Sequence, residues 1–243
     1  MQLTFLGTGS AMPTGERMQS GLLLEADGRS LLIDAGSGVL HSLARTDVGY
    51  EGVDALLLTH HHLDHVSDLM ALLKARWLAG AERFSIVGPA GTAELVAGLH
   101  EVHEYMQDRI DLEVREIEPG SSTVAGFDVE AMKTVHSMYC LAYRFEDTLT
   151  VSGDTEPISD LIEFAEQGSV LIHDCSFPDE VDVSNHPTPD GLGRVLSGAE
   201  LDRVYLTHLY PHTRGKHEAM LDSVGAHYDG DVRFARDGAT VEL

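Results

Sequence analysis

The run Thr59-His60-His61-His62-Leu63-Asp64-His65 gathers four imidazoles and a carboxylate within seven residues. Neutral imidazole and carboxylate are ligands that zinc and similar divalent ions accept. The run follows Ala55-Leu56-Leu57-Leu58, an apolar stretch that reads as a buried strand. His60 and His62 are two apart, so in an extended tail their side chains project to one side. Asp64 and His65 then open the next helix and can face the same pocket from another direction. One turn thus offers four candidate ligands, enough to begin two metal sites.

Three further residues share that context. His136 follows Lys133-Thr134-Val135, Asp154 follows Leu149-Thr150-Val151-Ser152-Gly153, and His208 follows Val204-Tyr205-Leu206-Thr207. Each stands just beyond a short apolar strand, and in layered α/β folds ligands gather at strand ends. A chance cluster of surface histidines would not repeat the strand-then-ligand pattern. Other histidines lack it. His100 and His103 stand three apart on one helix and read as solvated or packing residues. His61 reads as a supporting or surface residue, His217 and His227 as surface, and His212 as a candidate for the pocket mouth.

The elements that must hold these groups alternate short β-like runs with amphipathic helices. Strands are expected at Leu3–Leu6, Gly21–Glu25, Leu31–Asp34, Ala55–Thr59, Phe84–Val87, Leu112–Ile117, Phe127–Thr134, Cys140–Glu146, Thr148–Ser152, Val170–Asp174, Val204–Thr207 and Val232–Phe234. Helices are expected at Gly38–Arg45, His65–Leu78, Ala90–Gln107, Ile158–Glu166, Thr188–Leu196 and Lys216–Ala226. Consecutive strands over Gly21–Asp34 and Leu112–Ser152 favour antiparallel meanders over uniform βαβ units. Two sheets stacked face to face, with helices on both outer sides, bury such elements. The expectation is one layered α/β domain over residues 1–243.

Composition bounds the function. The 43% hydrophobic and 23% charged residues are ordinary for a globular chain. No apolar run approaches the ~20 residues that span a bilayer, and the first twenty residues lack a basic head and apolar core. Cys140 and Cys175 are too few for a disulfide scaffold and read as buried small residues. A cytoplasmic protein is expected. Forty acidic residues face sixteen basic ones, for a net charge of −24, and only Lys74, Lys133 and Lys216 are lysines. Such a surface suits molar salt, where the Debye length is about 3 Å, and suggests a halophilic source. It offers no broad basic footprint for nucleic acid.

Taken together, the motifs resemble the metallo-β-lactamase superfamily. His60-x-His62-x-Asp64-His65 matches its HxHxDH signature. Asp34 in Leu31-Leu32-Ile33-Asp34-Ala35-Gly36, His136, Asp154 in Ser152-Gly153-Asp154-Thr155 and His208 in Leu206-Thr207-His208 follow in the family's order. The opening Phe5-Leu6-Gly7-Thr8-Gly9-Ser10-Ala11-Met12-Pro13 is similar to the start of the ribonuclease Z branch. His173-Asp174-Cys175-Ser176-Phe177 resembles that branch's HEATF segment, and His186 in Asn185-His186-Pro187 its HST element.

The resemblance implies an αββα sandwich with two zinc ions per chain, or manganese or another divalent ion in their place. It implies one ion on His60, His62 and His136, a second on Asp64, His65 and His208, and Asp154 between them. Asp34 would hold the ligand loops by hydrogen bonds. Two such ions can share a hydroxide that attacks phosphorus in line. His186 would protonate the leaving oxygen, oriented by Asp174, which stands where the branch has Glu. Asp64, His186 and Asp174 are the expected catalytic residues.

Ribonuclease Z enzymes typically carry an RNA-gripping arm between the third histidine motif and the bridging Asp. Here only seventeen residues separate His136 from Asp154. The first expectation is therefore a phosphodiesterase for small or cyclic phosphate esters, with RNA disfavoured, no membrane partner and a homodimer carried over from relatives. A tRNA 3′-processing endonuclease is the alternative. An acyl or thioester hydrolase, a diiron redox protein and a non-catalytic binding module stand further back.

Overall fold

The computed structural model describes residues 1–243. Its strands are β1 (Gln2–Gly7), β2 (Gly21–Ala26), β3 (Arg29–Ile33), β4 (Ala55–Leu57), β5 (Arg83–Gly88), β6 (Asp111–Glu116), β7 (Gly120–Val124), β8 (Phe127–Lys133), β9 (Leu141–Phe145), β10 (Leu149–Val151), β11 (Val170–Asp174), β12 (Arg203–Thr207), β13 (Val232–Phe234) and β14 (Thr240–Glu242). Its helices are α1 (Val39–Leu43), α2 (Gly49–Gly52), α3 (Leu63–Val66), α4 (Leu69–Leu78), α5 (Thr92–Val102), α6 (Ser159–Ala165), α7 (Pro189–Leu196) and α8 (His217–Gly225). None is long and apolar enough to cross a membrane.

The strands form two seven-stranded mixed sheets, ordered β14-β1-β2-β3-β4-β5-β6 and β13-β12-β11-β10-β9-β8-β7. In the first, β3 through β6 run parallel and the other pairs antiparallel. The second mirrors this, with β10 through β13 parallel and β7 through β10 antiparallel.

Side-chain alternation sorts each strand between two cores. Leu22, Leu24, Leu31, Ile33, Ala55 and Leu57 face the central core, where they meet Phe127, Tyr143 and Phe145 of the second sheet. Leu23, Leu32 and Leu56 point the other way, onto Val39, Leu43, Leu69, Leu72 and Val96 of α1, α4 and α5. On the far side, Leu171, Val204 and Leu206 pack on Ile162, Leu192, Leu196, Met220 and Val224 of α6, α7 and α8. The result is the expected αββα sandwich. Strands buried on both faces read as unbroken apolar runs, which is why Leu31–Ile33 and Ala55–Leu58 stood out.

Three expectations need correction. The strand at Leu112 does not begin the later meander: β6 pairs parallel with β5 in the first sheet, and the chain changes sheets before β7. The helix expected over His65–Leu78 is two helices, α3 and α4. Asp68 separates them, because its Oδ2 accepts from the backbone N–H groups of Gly38 and Leu40 while its own N–H donates to Ala35. Finally, β7, α2 and β14 were not expected. In β7 only Val124 is buried, and β14 pairs with β1 across nearly the whole chain length.

One turn seats the segment beside the strand ends. The β1–β2 register shifts between Phe5 and Gly7, and a Cβ on Gly7 would stand 1.7 Å from the Gln19 carbonyl oxygen. Asp237 then holds the following loop, accepting from the Thr8 N–H and hydroxyl and from the Met18 N–H. Gly7→Ala should therefore cost about 1–3 kcal/mol, as overpacking does, measured by urea unfolding. Gly98→Ala, in the exposed interior of α5 with open space around it, should instead stabilise by roughly 0.5–1 kcal/mol.

Candidate metal centre

The strand-end residues converge. His60 and His62 lie in the extended segment after β4, and Asp64 and His65 in α3. His136 follows β8, Asp154 follows β10 and His208 follows β12. Two of the supporting strand ends adopt left-handed backbone, Asp34 at φ 60° and His208 at φ 58°. For residues other than glycine this costs of order ~1–3 kcal/mol and concentrates at functional sites.

Potential ligand atoms of His60, His62, His136 and Asp154 all lie within 4.8 Å of one another, as do those of Asp64, His65 and His208. Asp154 joins the sets. Its Oδ2 is 3.7 Å from His60 Nε2, 3.8 Å from His136 Nε2 and 3.4 Å from His208 Nε2, while its Oδ1 is 3.4 Å from His65 Nε2. Asp64 Oδ2 lies 3.0 Å from His208 Nε2 and 3.9 Å from His65 Nε2.

Four of the five inward-facing imidazoles are held from behind. Thr59 Oγ1 lies 3.1 Å from His60 Nδ1, and the Asn185 carbonyl 3.0 Å from His136 Nδ1. Ser176 Oγ lies 2.9 Å from His208 Nδ1, and Asp34 Oδ2 2.7 Å from His65 Nδ1. With Nδ1 so engaged, Nε2 is left for the centre, the usual way a supporting partner fixes a ligand's orientation. Asp34 also accepts from the Thr59 N–H and hydroxyl, each at 2.8 Å. It therefore supports both arms of the motif, the hydrogen-bonding place expected for it.

The chemistry of this donor set fits a divalent cation. His65 Nε2 is buried without a hydrogen-bond partner. His62 Nδ1 faces two other imidazole nitrogens, His60 Nε2 at 3.0 Å and His136 Nε2 at 3.1 Å. Burial and the neighbouring His65 imidazole push His60 well below the ordinary histidine pKa. Burial also penalises charge on His65, but Asp154 and Asp34 outweigh it and raise that pKa well above the ordinary value. For Asp154, burial opposes ionisation, yet His208, His65 and His60 hold its pKa well below the usual carboxylate range. A buried carboxylate ringed by imidazole nitrogens, one of them unpaired, is an arrangement that metal charge completes.

His186 lies beside this cluster, its ring stacked on His208 at 5.3 Å, and its Nδ1 is 2.8 Å from Asp174 Oδ2. The shorter Asp side chain thus reaches the histidine directly. Burial works against charge on His186, but the hydrogen bond and charge of Asp174 outweigh it and raise its pKa. His62 and His186 are partly exposed, whereas Asp64, His65, Asp154, His208 and the His136 side chain are buried, so the centre opens on one side. The larger surface grooves, including one of ≈520 Å³ lined by Gln2, His41 and Arg45, lie elsewhere.

His61 is half-buried and bonds Thr92 Oγ1 at 2.8 Å rather than joining the cluster. His100 and His103 join no metal-binding group. His212 packs against Phe177 near the opening. His227 pairs with Asp190 and His217 stacks on Phe234. Both cysteines are buried, Cys175 in the outer core and Cys140 with its Sγ 3.7 Å from His60 Nδ1. Sequence reasoning missed the supporting roles of Thr59 and Ser176. Each adjoins or stands two residues from a motif position, but a hydroxyl there reads equally as turn chemistry. Removing the Asp34 carboxylate should free both Thr59 and His65. Asp34→Ala is expected to lower metal affinity about 10–100-fold, the size usual for supporting partners, in titrations followed by calorimetry with a properly folded far-ultraviolet spectrum.

Comparison with known proteins places this geometry in a family. The family model described as Anti-Pycsar protein Apyc1 matches residues 1–220. A protein named ribonuclease Z from Mycolicibacterium paratuberculosis is 34% identical, with 100% of this chain and 98% of the relative covered. Ribonuclease Z of Haloferax volcanii is 27% identical, covering 100% and 95%. That alignment runs over 303 positions against a chain of 243 residues, so the archaeal protein carries segments that this chain lacks. The crystal structure of YhfI from Bacillus subtilis, a metallo-β-lactamase fold protein, superposes with a TM-score of 0.88 at 26% identity, covering 100% of this chain and 99% of that one. The chain is a metal-dependent hydrolase that belongs to the Anti-Pycsar protein Apyc1 family, within the ribonuclease Z-like branch of the metallo-β-lactamase superfamily.

Proposed function

We propose that this chain, folded as one domain, hydrolyses phosphodiester bonds at a centre for two zinc ions. The observation that carries the reading is the position of Asp154, one oxygen toward His60, His136 and His208 and the other toward His65. In this assignment His60, His62 and His136 hold one ion, Asp64, His65 and His208 the other, and Asp154 both. Divalent ions there would supply Lewis acidity toward phosphoryl oxygens and an acidified water nucleophile.

The protein's own part is orientation and proton handling. His186 gives its Nδ1 to Asp174, so Nε2 is the nitrogen free to carry a proton to the leaving oxygen. Its raised pKa, sustained by Asp174 against burial, favours the protonated form that a general acid needs. Asp174 holds the ring's tautomer and direction. The buried ligands on the closed side keep bulk water away from all but the open face.

Two substrate classes compete. The relatives named ribonuclease Z match over nearly their full length and support RNA cleavage more directly than a small-ester reading. The charge balance alone does not outweigh them, so RNA stands as the first substrate to test. One observation favours small or cyclic esters instead: the interval from His136 to Asp154 is filled by β9 and β10, which leaves no room there for an RNA-gripping arm. We place the protein in the cytoplasm on either reading.

The test offers bis(p-nitrophenyl) phosphate and a 3′-extended tRNA to the protein in ~2 M KCl, where surface repulsion is screened. Because phosphate contacts weaken steeply with salt, the RNA arm is repeated at low salt. Asp154→Ala should lose both bound metal and turnover, read by metal analysis and product release. An Asp154→Ala protein with two ions and full turnover would overturn the assignment. His186→Ala should keep its metal content and lose roughly 10²–10⁴ in rate. Cleavage of the RNA at a single site selects the first substrate class; turnover of the small diester alone selects the second.

A further inference from the structure

Beside the cluster stands an aromatic pair that the proposed chemistry does not use. Phe177 and Tyr210 stack with ring centroids 4.3 Å apart and planes 25° apart. Phe177 is the buried member, and Tyr210, partly exposed, lies outward of it. The Tyr210 ring lies 5.7 Å from the His208 ring and 6.0 Å from the His186 ring. His212, exposed, packs against Phe177 at 5.3 Å. Solvent therefore meets Tyr210 and His212 at the edge of the open face, with Phe177 behind them.

The backbone beneath these rings is fixed. Leu209 N–H donates to the Thr8 carbonyl at 3.0 Å and Tyr210 N–H to that of Ser176 at 3.3 Å. The Tyr210 carbonyl in turn accepts from the Thr213 N–H at 3.0 Å and its hydroxyl at 2.8 Å. An aromatic surface held this way binds a flat partner without first paying to order itself. The Tyr210 hydroxyl has no hydrogen bond within the protein, so no internal polar contact accounts for a tyrosine at this position.

We propose that Tyr210, backed by Phe177 and flanked by His212, is a stacking platform for the nucleobase next to the cleaved phosphodiester, making it a specificity determinant for nucleotide substrates. The inference rests on the phosphodiesterase reading above. The Tyr210 ring stands 5.7 Å from the His208 ring and 6.0 Å from the His186 ring, so a phosphate held at the cluster would leave its attached nucleoside within reach of this ring. Every base has a π-face, so stacking tolerates different bases. The base can belong to a free nucleotide or to an RNA end, and the recognition chemistry is the same.

Two diesters with one leaving group separate the base from the chemistry: thymidine 5′-(p-nitrophenyl phosphate) and methyl p-nitrophenyl phosphate. The zinc-loaded wild-type protein should show a KM about tenfold or more lower for the nucleoside diester, the scale of one base stacked on an aromatic ring. Tyr210→Leu should abolish that preference with kcat on the methyl diester unchanged, Tyr210→Phe should retain it, and His212→Ala should weaken it. Calorimetric binding of thymidine 5′-monophosphate against methyl phosphate should show the same loss in Tyr210→Leu without relying on turnover. A parallel arm uses 3′-extended tRNA: weakening of its KM by Tyr210→Leu assigns the base to an RNA end, and weakening confined to the nucleoside diester assigns it to a free nucleotide. An unchanged preference in Tyr210→Leu, in both KM and binding, overturns the platform while leaving the phosphodiesterase reading intact. Failure of the wild type to cleave any of these substrates overturns that reading, and the platform with it.

Discussion

Asp154 is 2% exposed, and a carboxylate removed from water must recover what hydration supplied. It does so from imidazoles brought by different parts of the chain. His60 and His65 come from the first half, His136 from the end of β8 and His208 from the end of β12. Much of the remaining architecture can be understood as what is needed to bring those rings around one anion. The two sheets must face each other so that strand ends from both reach one edge. The outer helices cover the backs of the sheets, so that strands carrying ligands are apolar on both faces. Asp34 and His208 accept left-handed backbone at the places where the chain must turn to present them.

The candidate ligand positions were legible because side chains of metal-binding type beyond apolar strands break the local pattern sharply. His136, Asp154 and His208 each interrupt a strand that would otherwise run into an ordinary turn. The partners behind them were less legible. Nothing local distinguishes Ser176, which braces His208, from any serine near a strand end, and the group behind His136 is a backbone carbonyl at Asn185 that no side chain announces. Most strand positions could be read because apolar runs mark burial, but sheet membership could not. β6 resembles the strands that follow it, and only its parallel pairing with β5 shows that the change of sheet comes later. The break between α3 and α4 was hidden for a related reason. Asp68 looks like a tolerable helix residue until its carboxylate is seen to be committed to the start of α1.

The dyad of Asp174 and His186 shows how supporting and reacting groups share one frame. Ser176, two residues beyond Asp174, lies 2.9 Å from His208 Nδ1 and 3.3 Å from His186 Nδ1. A single segment after β11 thus aligns a candidate ligand and the candidate acid together. Phe177 continues the same segment, and Tyr210, two residues beyond His208 in the segment after β12, stacks on it.

The pairing of β1 with β14 has a consequence for how the molecule comes into being. On a ribosome, β1 emerges well before β14 and gains its last neighbour only when residues 240–242 appear, and the loop at Thr8 finds Asp237 only shortly before. Contacts of such sequence separation are slow to form, because the intervening chain must close a long loop. The brace beside the strand ends is therefore among the last parts to be set, and the nascent chain carries its histidine cluster for most of synthesis without it. Secure capture of metal is thus expected to follow the synthesis of residues 237–242 rather than the appearance of the candidate ligands.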